Sequence, residues 1–518
     1  MWSGRLGVAA VRGFWVGASA GFLFVMVELA GRVIAGVPTL PELVQDRLVL
    51  FLPGPVFAFV LDRLLYLGKP SFFVGLILLQ LVAAGLVGSL AARLRLPLLL
   101  GMVFWLLTGL VLLPAAGKGV FGSSSAVALV SLLAYGLYAV GLQIGLGIPF
   151  VSPRTVAVAN RPAPPSATGQ SLPTRRVLVG TTLSAVVSLF LGRSVIGTLP
   201  SLPPTTSGAL ASGGPPGSAT PSASAGLPPD VTPPDQFYLV SKNLVDPVVD
   251  TNSWRLAIDG MVTNSLNLSF ADILALPSEQ VYRTLECISN EVGGDLISNG
   301  LWTGIRLGDL LRKAVVAPRA ALVHFSCADG YTESMDLTKA LDPSTLLVYK
   351  LDGQLLPTKH GSPLRVLGTG TFGMKNPKWI TRITAALSAA PGFWEAQGWT
   401  PDALVQTMSR IDSPSDGGSV PLAPVTVAGI AFAGDRGIQK VEVSVDGGKS
   451  WQTADLEKSL GPSTWTLWTY RWQPPKAGQY QLVVRATDGT GKIQSARQTD
   501  TFPVGATGYH SISVQVSA

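Results

Sequence analysis

The chain has 518 residues, of which 47% are hydrophobic and only 13% are charged, and its mean hydropathy is +0.39. This apolar average, with a net charge of +7 carried largely by arginines beside apolar segments, indicates membrane insertion. It argues against nucleic-acid binding, for which no reading motif is present. Two cysteines and three histidines exclude a Cys/His zinc site, an iron–sulfur cluster and a disulfide framework.

The first 199 residues carry long apolar segments that predict membrane helices. An apolar run of about 18 residues is long enough to span a bilayer. Five such runs lie at residues 14–37, 72–92, 98–116, 126–150 and 177–199. A sixth run, at 48–67, contains two prolines and ends near an Asp-Arg pair, so it is either a further span or a re-entrant segment. The sequence therefore predicts an all-α transmembrane bundle with five or six membrane segments.

Arginine positions predict how these helices are oriented. Arg93 and Arg95 lie between two spans, and four further arginines precede the last one. Because loops rich in Lys and Arg stay in the cytoplasm, we expect a multi-pass plasma-membrane protein whose chain leaves the last helix outside the cytoplasm. Arg175 and Arg176 head that helix, and they either resemble an internal twin-arginine export signal or only mark the cytoplasmic side.

Polar residues in the membrane half are few. This half contains no histidine, so we expect it to bind no haem. Glu28 and Arg32 are four residues apart in the first helix, which predicts an ion pair within that helix with either a functional or a structural role.

Residues 200–234 consist almost entirely of Pro, Ser, Gly, Ala and Thr and contain no aromatic residue. Such a segment cannot bury enough surface to offset the entropy lost on ordering. We predict a disordered linker that separates the membrane half from the rest of the chain.

From residue 235 onward the pattern changes to short strands, short helices and turns. Residues 254–260 alternate like a half-buried strand, and residues 321–330 read as a strand that enters a turn. Ser269 and Asp272 predict the start of a short helix, and a second helix is predicted to begin at Thr303. These elements predict a mixed α+β domain over residues 235–402.

Three separated blocks of this domain carry a resemblance to a known family. They are FYLVSKN at 237–243; RTLECISNEVGG at 283–294 with WTGIRL at 302–307; and HGSPLR at 360–365 with GMKNPKWI at 373–380. In this order they resemble the sulfite oxidase family of molybdopterin enzymes. The resemblance implies a Mo-molybdopterin cofactor, with Cys287 as the thiolate ligand to the metal, and oxygen-atom transfer as the chemistry.

The same resemblance implies roles for further residues. Positions that match the cofactor-binding positions of the family are Lys242, Asn243, Ser326, His360, Arg365, Lys375, Asn376 and Lys378. Cationic side chains suit this role because the pterin ends in a phosphate. Arg436 approximately matches a catalytic arginine of the family, whereas the second cysteine, Cys327, has apolar neighbours and is expected to be a buried, inert thiol.

Two departures from the family pattern concern the substrate, which the sequence leaves open as a small oxyanion or oxo-substrate. Family members that oxidise sulfite hold the anion with arginines where this chain has Ser241 and Glu291. A sulfoxide-type reductase and a non-catalytic, membrane-anchored binding protein therefore stay open as alternatives. Since neither half carries a haem or iron–sulfur motif, we expect a separate redox partner protein such as a cytochrome.

Residues 403–518 alternate at period two between turn signals, which predicts an all-β, immunoglobulin-like sandwich of seven strands. Trp465, Trp468 and Trp472 are expected to pack in its core. The segment resembles the dimerisation domain of the same family, which implies a homodimer; a generic binding module is the alternative.

Overall fold

The computed structural model describes residues 2–44, 68–115, 119–123, 125–149, 227–243, 246–388 and 390–518. The chain divides into two compact units, and the second of them holds Ala209–Ala518. The predicted membrane segments at 48–67 and 177–199, and the predicted linker up to residue 226, lie outside the described residues.

Helices form most of the described part of the first unit. They are α1 (Trp2–Ala35), α2 (Gly68–Leu94), α3 (Pro97–Leu107, continued by a π-helical turn at Thr108–Leu112 and by Leu113–Ala115) and α4 (Ser125–Gly145). Within the residues that the structure describes, four stretches are long and apolar enough to cross a membrane, namely Ala9–Ala35, Phe73–Leu94, Pro97–Ala115 and Ser125–Gly145. They correspond to the four predicted segments at 14–37, 72–92, 98–116 and 126–150.

Small residues let α1 approach α2 closely. A Cβ atom on Gly17 would lie 2.4 Å from the carbonyl oxygen of Ala84, and one on Gly88 would lie 2.3 Å from the carbonyl oxygen of Gly13. Contacts this short exclude any side chain larger than hydrogen at these two positions. This use of glycine between helices is typical of membrane bundles.

The predicted pair between Glu28 and Arg32 is wrong. The Arg32 Nε donates to Glu42 Oε1 at 3.0 Å, while Glu28 accepts from the Leu40 backbone N–H at 3.0 Å and from the Gln80 Nε2 at 2.8 Å. The chain turns back after α1 and supplies partners that lie close in space, which spacing along one helix does not reveal.

The second unit begins with one mixed sheet, one antiparallel sheet and short helices. Its elements are β1 (Arg255–Gly260), β2 (Leu266–Ser269), α5 (Phe270–Leu274), β3 (Glu279–Glu286), β4 (Ile297–Arg306), α6 (Leu307–Ala314), β5 (Leu322–Cys327), β6 (Thr332–Asp336), α7 (Leu337–Leu341), β7 (Leu346–Leu351), β8 (Gln354–Leu355), β9 (Arg365–Leu367) and β10 (Ile380–Ala386). One sheet has the order β2-β1-β10-β5-β6; the other has the order β3-β4-β7-β8, with β9 paired to β7.

Local sequence accounts for most of these boundaries. The short helix begins where Ser269 and Asp272 predicted it. The Ser269 side chain accepts from the Asp272 backbone N–H and the Asp272 side chain accepts from the Ser269 backbone N–H, which forms a capping box. The second helix begins at Leu307 and not at Thr303, because β4 continues to Arg306 through pairing with β7. Tertiary strand pairing overrides the local helix signal there.

The C-terminal residues form a β-sandwich. Its strands are β11 (Met408–Ser413), β12 (Ser419–Pro421), β13 (Val425–Phe432), β14 (Ile438–Ser444), β15 (Gln452–Thr453), β16 (Asp455–Leu456), β17 (Thr466–Trp472), β18 (Gly478–Asp488) and β19 (His510–Ser517). The sheets have the orders β11-β13-β17-β16 and β12-β19-β18-β14-β15. Two more strands are present than the seven predicted, since β15 and β16 are two-residue strands too short for the alternation to mark. Trp465, Trp468 and Trp472 are buried, as predicted.

The sandwich packs directly on the strand that leads to Cys287. Thr284 in β3 donates its backbone N–H to the Ser463 carbonyl at 3.0 Å, and its Oγ1 accepts from the Trp465 backbone N–H at 2.8 Å. Beside this strand, Ile288 is buried in a cluster with Trp465 and other apolar residues of the sandwich. The position of the Cys287 segment therefore depends on both parts of the second unit.

Candidate functional site

A cleft lies beside the end of β3 and encloses about 870 Å³ of non-protein space, including solvent at its mouth. Five of the residues singled out from the sequence line it: Lys242, Cys287, His360, Arg365 and Lys378. They come from separate segments spread over residues 242–378.

Cys287 lies at the start of a compact loop that follows β3, and it is 8% exposed. Its backbone N–H donates to the Leu296 carbonyl at 2.9 Å, which closes the loop. Asn290 braces the loop from inside, because its Oδ1 accepts from the Leu296 N–H at 2.9 Å and its N–H donates to the Cys287 carbonyl at 3.0 Å. The thiol is thus presented from a fixed backbone.

Glu286 precedes the cysteine and is also buried. Burial raises its pKa to about 7, although the Asn290 Nδ2 donates to its Oε1 at 2.9 Å and Arg410 lies near enough to oppose the shift. Its other oxygen, Oε2, has no hydrogen-bond partner among the described residues. Sequence reasoning gave Glu286 no role, since a glutamate on a strand is usually solvated.

Two basic side chains form a buried wall of the cleft. The His360 Nε2 donates to the Pro234 carbonyl at 3.0 Å, and burial together with the nearby Arg365 lowers the His360 pKa to about 3. His360 is therefore neutral. Arg365 donates to the carbonyls of His360 and Asn376, both at 3.2 Å, and burial lowers its pKa to about 10, so it stays charged.

Arg365 also has an unsatisfied donor. Its Nε is buried and has no hydrogen-bond partner among the described residues. The guanidinium carbon lies 5.3 Å from the ring centroid of Trp302, which is fully buried and fixes the plane of the group. A buried cation with a spare N–H favours an anionic acceptor.

Two lysines contribute charge on other sides of the cleft. The Lys378 Nζ donates to the carbonyls of Val240 and Lys359 at 3.2 and 3.0 Å and lies 4.3 Å from the Trp379 ring centroid. The Lys242 Nζ donates to the Asp329 carbonyl at 2.8 Å and lies 3.7 Å from the Asp329 carboxylate. Each lysine thus joins two chain segments at the edge of the cleft.

The other residues singled out from the sequence do not line the cleft, and hydrogen bonds explain why. Asn376 caps the Gly368 N–H at 2.6 Å, and Asn243 donates to Asp329 at 3.0 Å. Ser326 is paired within its sheet to Arg382 and Thr332. Their positions support the walls of the cleft and present no group to its interior.

Lys375 and Arg436 are engaged elsewhere in the unit. The Lys375 Nζ lies between the carboxylates of Glu333, at 2.7 Å, and Glu395. The Arg436 Nε donates to Asp488 at 2.9 Å within the sandwich. The structure therefore does not bring the expected catalytic arginine to the cleft.

Aromatic side chains that the sequence did not single out complete the cleft. Tyr238, Tyr331, Trp394 and Trp399 line it, and burial raises the pKa of both tyrosines well above the usual range. An aromatic residue in a block of alternating sequence is more often core than site, so spacing alone did not mark them. The feature of the sequence that could have pointed to Tyr331 is the turn predicted to end at residue 330, directly before it.

The residues that replace the expected arginines differ in location. Ser241 lines the cleft and donates its hydroxyl to Asp246 at 2.7 Å, whereas Glu291 is exposed on the Cys287 loop and is not a lining residue. Cys327 is buried at the end of β5 and burial raises its pKa, as expected for an inert thiol.

Comparison with known proteins places this cleft in a family. Residues 243–394 match a model described as oxidoreductase molybdopterin binding domain, and residues 403–517 match the Mo-co oxidoreductase dimerisation domain. The chain is 30% identical over 296 residues to sulfite oxidase from Arabidopsis thaliana, covering 48% of this chain and 75% of that protein. The chain belongs to the sulfite oxidase family. Its cofactor class is therefore Mo-molybdopterin, as the resemblance implied.

Other similarities within the sulfite oxidase family agree. Mitochondrial sulfite oxidase from Mus musculus is 30% identical over 309 residues, which cover 50% of this chain and 57% of that protein. Among solved structures, the sulfane dehydrogenase SoxCD from Paracoccus pantotrophus has a TM-score of 0.50 and 25% identity, covering 54% of this chain and 80% of that chain. The chain thus spans little more than half of the mouse relative, and the similarity to SoxCD supports the same fold for the second unit.

Proposed function

We propose that this protein is a membrane-anchored molybdopterin-dependent oxidoreductase that transfers an oxygen atom at an extracytoplasmic metal centre ligated by Cys287. The observation that carries the proposal is the cleft itself. It has a buried cysteine on one wall and His360, Arg365, Lys378 and Lys242 around it. One soft sulfur donor together with several cationic and N–H donors matches a metal held by a dithiolene whose pterin ends in a phosphate.

The residues present fit this cofactor in three respects. Arg365 has a buried Nε without a partner among the described residues, which suits an anionic or carbonyl acceptor. His360 is neutral and donates its Nε2–H to the Pro234 carbonyl, so it adds no charge to the cleft. Lys378 and Lys242 now donate to backbone carbonyls, which a phosphate can replace at little cost because charge-assisted hydrogen bonds are stronger.

When bound, the cofactor would supply two-electron oxygen-atom transfer. The chain would supply position and exclusion of water. The Cys287 loop fixes the thiolate through Asn290 and Leu296, and the aromatic wall keeps the reacting position dry. Electrons would pass one at a time to or from a separate protein such as a cytochrome.

The lining favours an oxo-substrate with an apolar flank over a small inorganic oxyanion. Where sulfite-oxidising relatives are expected to present arginine, this cleft presents Ser241, and its lining also includes Trp394, Trp399 and Met374. A small doubly charged anion would find no cation beyond those we assign to the cofactor. A sulfoxide-type reductase is therefore the second candidate; retention of Cys287 with its basic partners argues against a non-catalytic binding protein.

Membrane anchoring and dimerisation complete the proposal. Four helices have the length and composition of membrane spans, and the flanking arginines favour an extracytoplasmic second unit at the plasma membrane. The sandwich, whose region matches a dimerisation model, would be an immunoglobulin-like module that joins two copies of the chain. Arg436, in a sandwich loop, is the residue to test for a contribution from that second copy.

The test is the metal and pterin content of the full-length chain, purified in detergent from a host that makes the cofactor. Cys287→Ser is compared with wild type, and Cys327→Ala serves as the matched control because that thiol is equally buried. We expect molybdenum and pterin near one per chain in wild type and control. Cys287→Ser should retain pterin, because the cations hold it, but show an altered metal spectrum. Well-folded wild type without molybdenum or pterin would contradict the proposal.

A further inference from the structure

A chain of hydrogen-bonding side chains begins at the cleft. Tyr331, which lines the cleft, has its hydroxyl 2.7 Å from the Met374 carbonyl and 3.3 Å from Glu333 Oε2. Glu333 is two residues further along the same hairpin, and its side chain is 0% exposed. A carboxylate buried this completely requires partners, and one of its contacts is a residue of the site.

The next link leads from Glu333 towards the surface. The Lys375 Nζ lies 2.7 Å from Glu333 Oε1 and also contacts Glu395 Oε1. The Glu395 side chain is 12% exposed, and its other oxygen accepts from the Gly392 backbone N–H at 2.9 Å. One lysine thus connects a carboxylate that has no contact with solvent to a carboxylate that does.

The path is enclosed by protein. The Phe393 ring lies 5.7 Å from the Tyr331 ring, and its backbone N–H donates to the Thr332 carbonyl at 2.9 Å, which holds the segment over Glu333. Gly392 lies against the carboxylate so closely that a Cβ atom there would be 2.7 Å from Glu333 Oε1. These contacts pack protein atoms around Glu333, so the path from the cleft towards the surface runs along side chains here.

Charges around Glu333 set its proton affinity. Burial raises its pKa to about 7, Lys375 opposes that shift, and Glu395 adds to it. On the same hairpin, Tyr331 and Cys327 interact with it, and burial raises the pKa of both of these residues. Among these groups, Glu333 is the one whose protonation changes near neutral pH.

We propose that Tyr331, Glu333, Lys375 and Glu395 carry protons between the cleft and solvent during oxygen-atom transfer, an inference that rests on the proposed function. In the oxidative direction, substrate and water give the oxygenated product, two protons and two electrons. The electrons pass singly to a one-electron acceptor. The protons must leave the cleft, and these side chains offer them a route through the protein in addition to the solvent-facing mouth.

The relay conserves protons and charge at each step. Tyr331 accepts a proton from the cleft while its own hydroxyl proton passes to Glu333. Glu333 passes a proton to Lys375 as Lys375 gives one to Glu395, and Glu395 releases it to solvent. For a reductase the same steps run in reverse. Glu333 acts through Tyr331 and does not touch the substrate, so its role is to move the proton on.

The test does not need the physiological substrate. Loaded full-length chain is mixed with reduced methyl viologen, a one-electron donor, and proton uptake is followed with a pH-indicator dye. We expect uptake by Glu333→Gln to be at least about tenfold slower than by wild type, since positioned acid–base groups contribute factors of this size or larger. The wild-type pH dependence, with its inflection near 7, should be lost.

Two further variants separate a relay from a structural role. Glu442→Gln is the matched control, because Glu442 is a mostly buried carboxylate held by Lys440 and Arg485 in the sandwich; it should behave like wild type. Glu333→Asp retains a carboxyl group and should recover part of the rate. An infrared signal of protonated carboxyl groups that titrates near pH 7 should be present in wild type without any reductant and weaker in Glu333→Gln by the contribution of one carboxyl group. Glu286, whose pKa burial also raises to about 7, contributes equally in both proteins.

The outcomes distinguish the relay from the function on which it rests. Loaded Glu333→Gln that takes up protons at the wild-type rate, with the wild-type pH dependence, would overturn the relay and leave the proposed function standing. A wild-type chain that binds neither molybdenum nor pterin would overturn both.

Discussion

Replacing Arg410 with alanine should loosen the loop that carries Cys287. Arg410 belongs to β11 of the sandwich, and its Nη1 donates to the Gly294 carbonyl at 2.6 Å across the boundary between the sandwich and the cleft-bearing part of the second unit. Its Nε pairs with Asp412 at 2.6 Å. The substitution therefore removes the donor of Gly294 and the ion-pair partner of Asp412 in one step.

The expected cost follows from how buried these groups are. The side chains of Arg410 and Asp412 are only 12% and 18% exposed. A hydrogen bond to a charged group contributes about 1.5–3 kcal/mol, and breaking a buried pair costs about 3–5 kcal/mol. We expect local opening of the loop to become easier by about 3 kcal/mol, which corresponds to roughly a hundredfold faster amide exchange.

The pH dependence provides a second signature. Burial raises the Asp412 pKa and Arg410 opposes that shift. Without Arg410 the Asp412 pKa should rise further. At low pH Asp412 then binds a proton and becomes neutral, so the variant no longer carries an unpaired buried charge. The destabilisation should therefore be smaller at pH 5 than at pH 8.

The assay is hydrogen–deuterium exchange of the full-length chain, read in peptides that contain the amides of Cys287, Gly294 and Leu296. Arg497→Ala, which removes an exposed arginine of the same sandwich, is the control. Unchanged protection of these three amides in Arg410→Ala would refute the reasoning, because the loop would then be held by its internal bonds alone.

Three further predictions concern other parts of the second unit. Gly429→Ala should lower the melting temperature, because a Cβ atom there would lie 1.9 Å from the Arg410 carbonyl oxygen and overpacking costs about 1–3 kcal/mol; an unchanged melting temperature would contradict the clash. The Glu333 pKa is about 7 in the folded state and 4.5 ordinarily, so the folded state binds more protons between these two pH values. The free energy of unfolding should therefore fall by about 3 kcal/mol as the pH rises through this range. Glu333→Gln should abolish this contribution, measured by denaturation at several pH values. Asn299→Ala removes a 2.7 Å bond to the Asp230 carbonyl and should speed amide exchange at residues 230–236, whereas equal exchange would show that this bond does not hold the segment.

Much of the architecture follows from local pattern. Local pattern predicted strands at 254–260 and 321–330, close to β1 and β5, and long apolar runs predicted the four described helices that are long and apolar enough to cross a membrane. These features depend on neighbouring residues along one element, which a sequence displays directly.

The features that were missed depend on residues distant in the chain. Thr303 belongs to a strand because β7 pairs with it, and Lys375 faces two carboxylates that are 42 and 20 positions away. Residues 230–234 were assigned to a disordered linker from their composition, yet Thr232 is buried and exchanges hydrogen bonds with Asn299. Composition measures the average ability of a segment to bury surface, not the presence of a single docking partner.

The docking of residues 230–234 also determines where mechanical load would be borne. The Thr232 N–H donates to the Asn299 carbonyl at 2.7 Å, and the Thr232 Oγ1 accepts from the Asn299 N–H at 3.2 Å. The Asn299 Nδ2 also donates to the Asp230 carbonyl. A pull on the chain from residues that precede Asp230 would load these three bonds on β4 before it reaches Pro234, whose carbonyl accepts from His360 of the cleft wall. The bonds to β4 would therefore take up such a force first, and His360 would feel it only after they break.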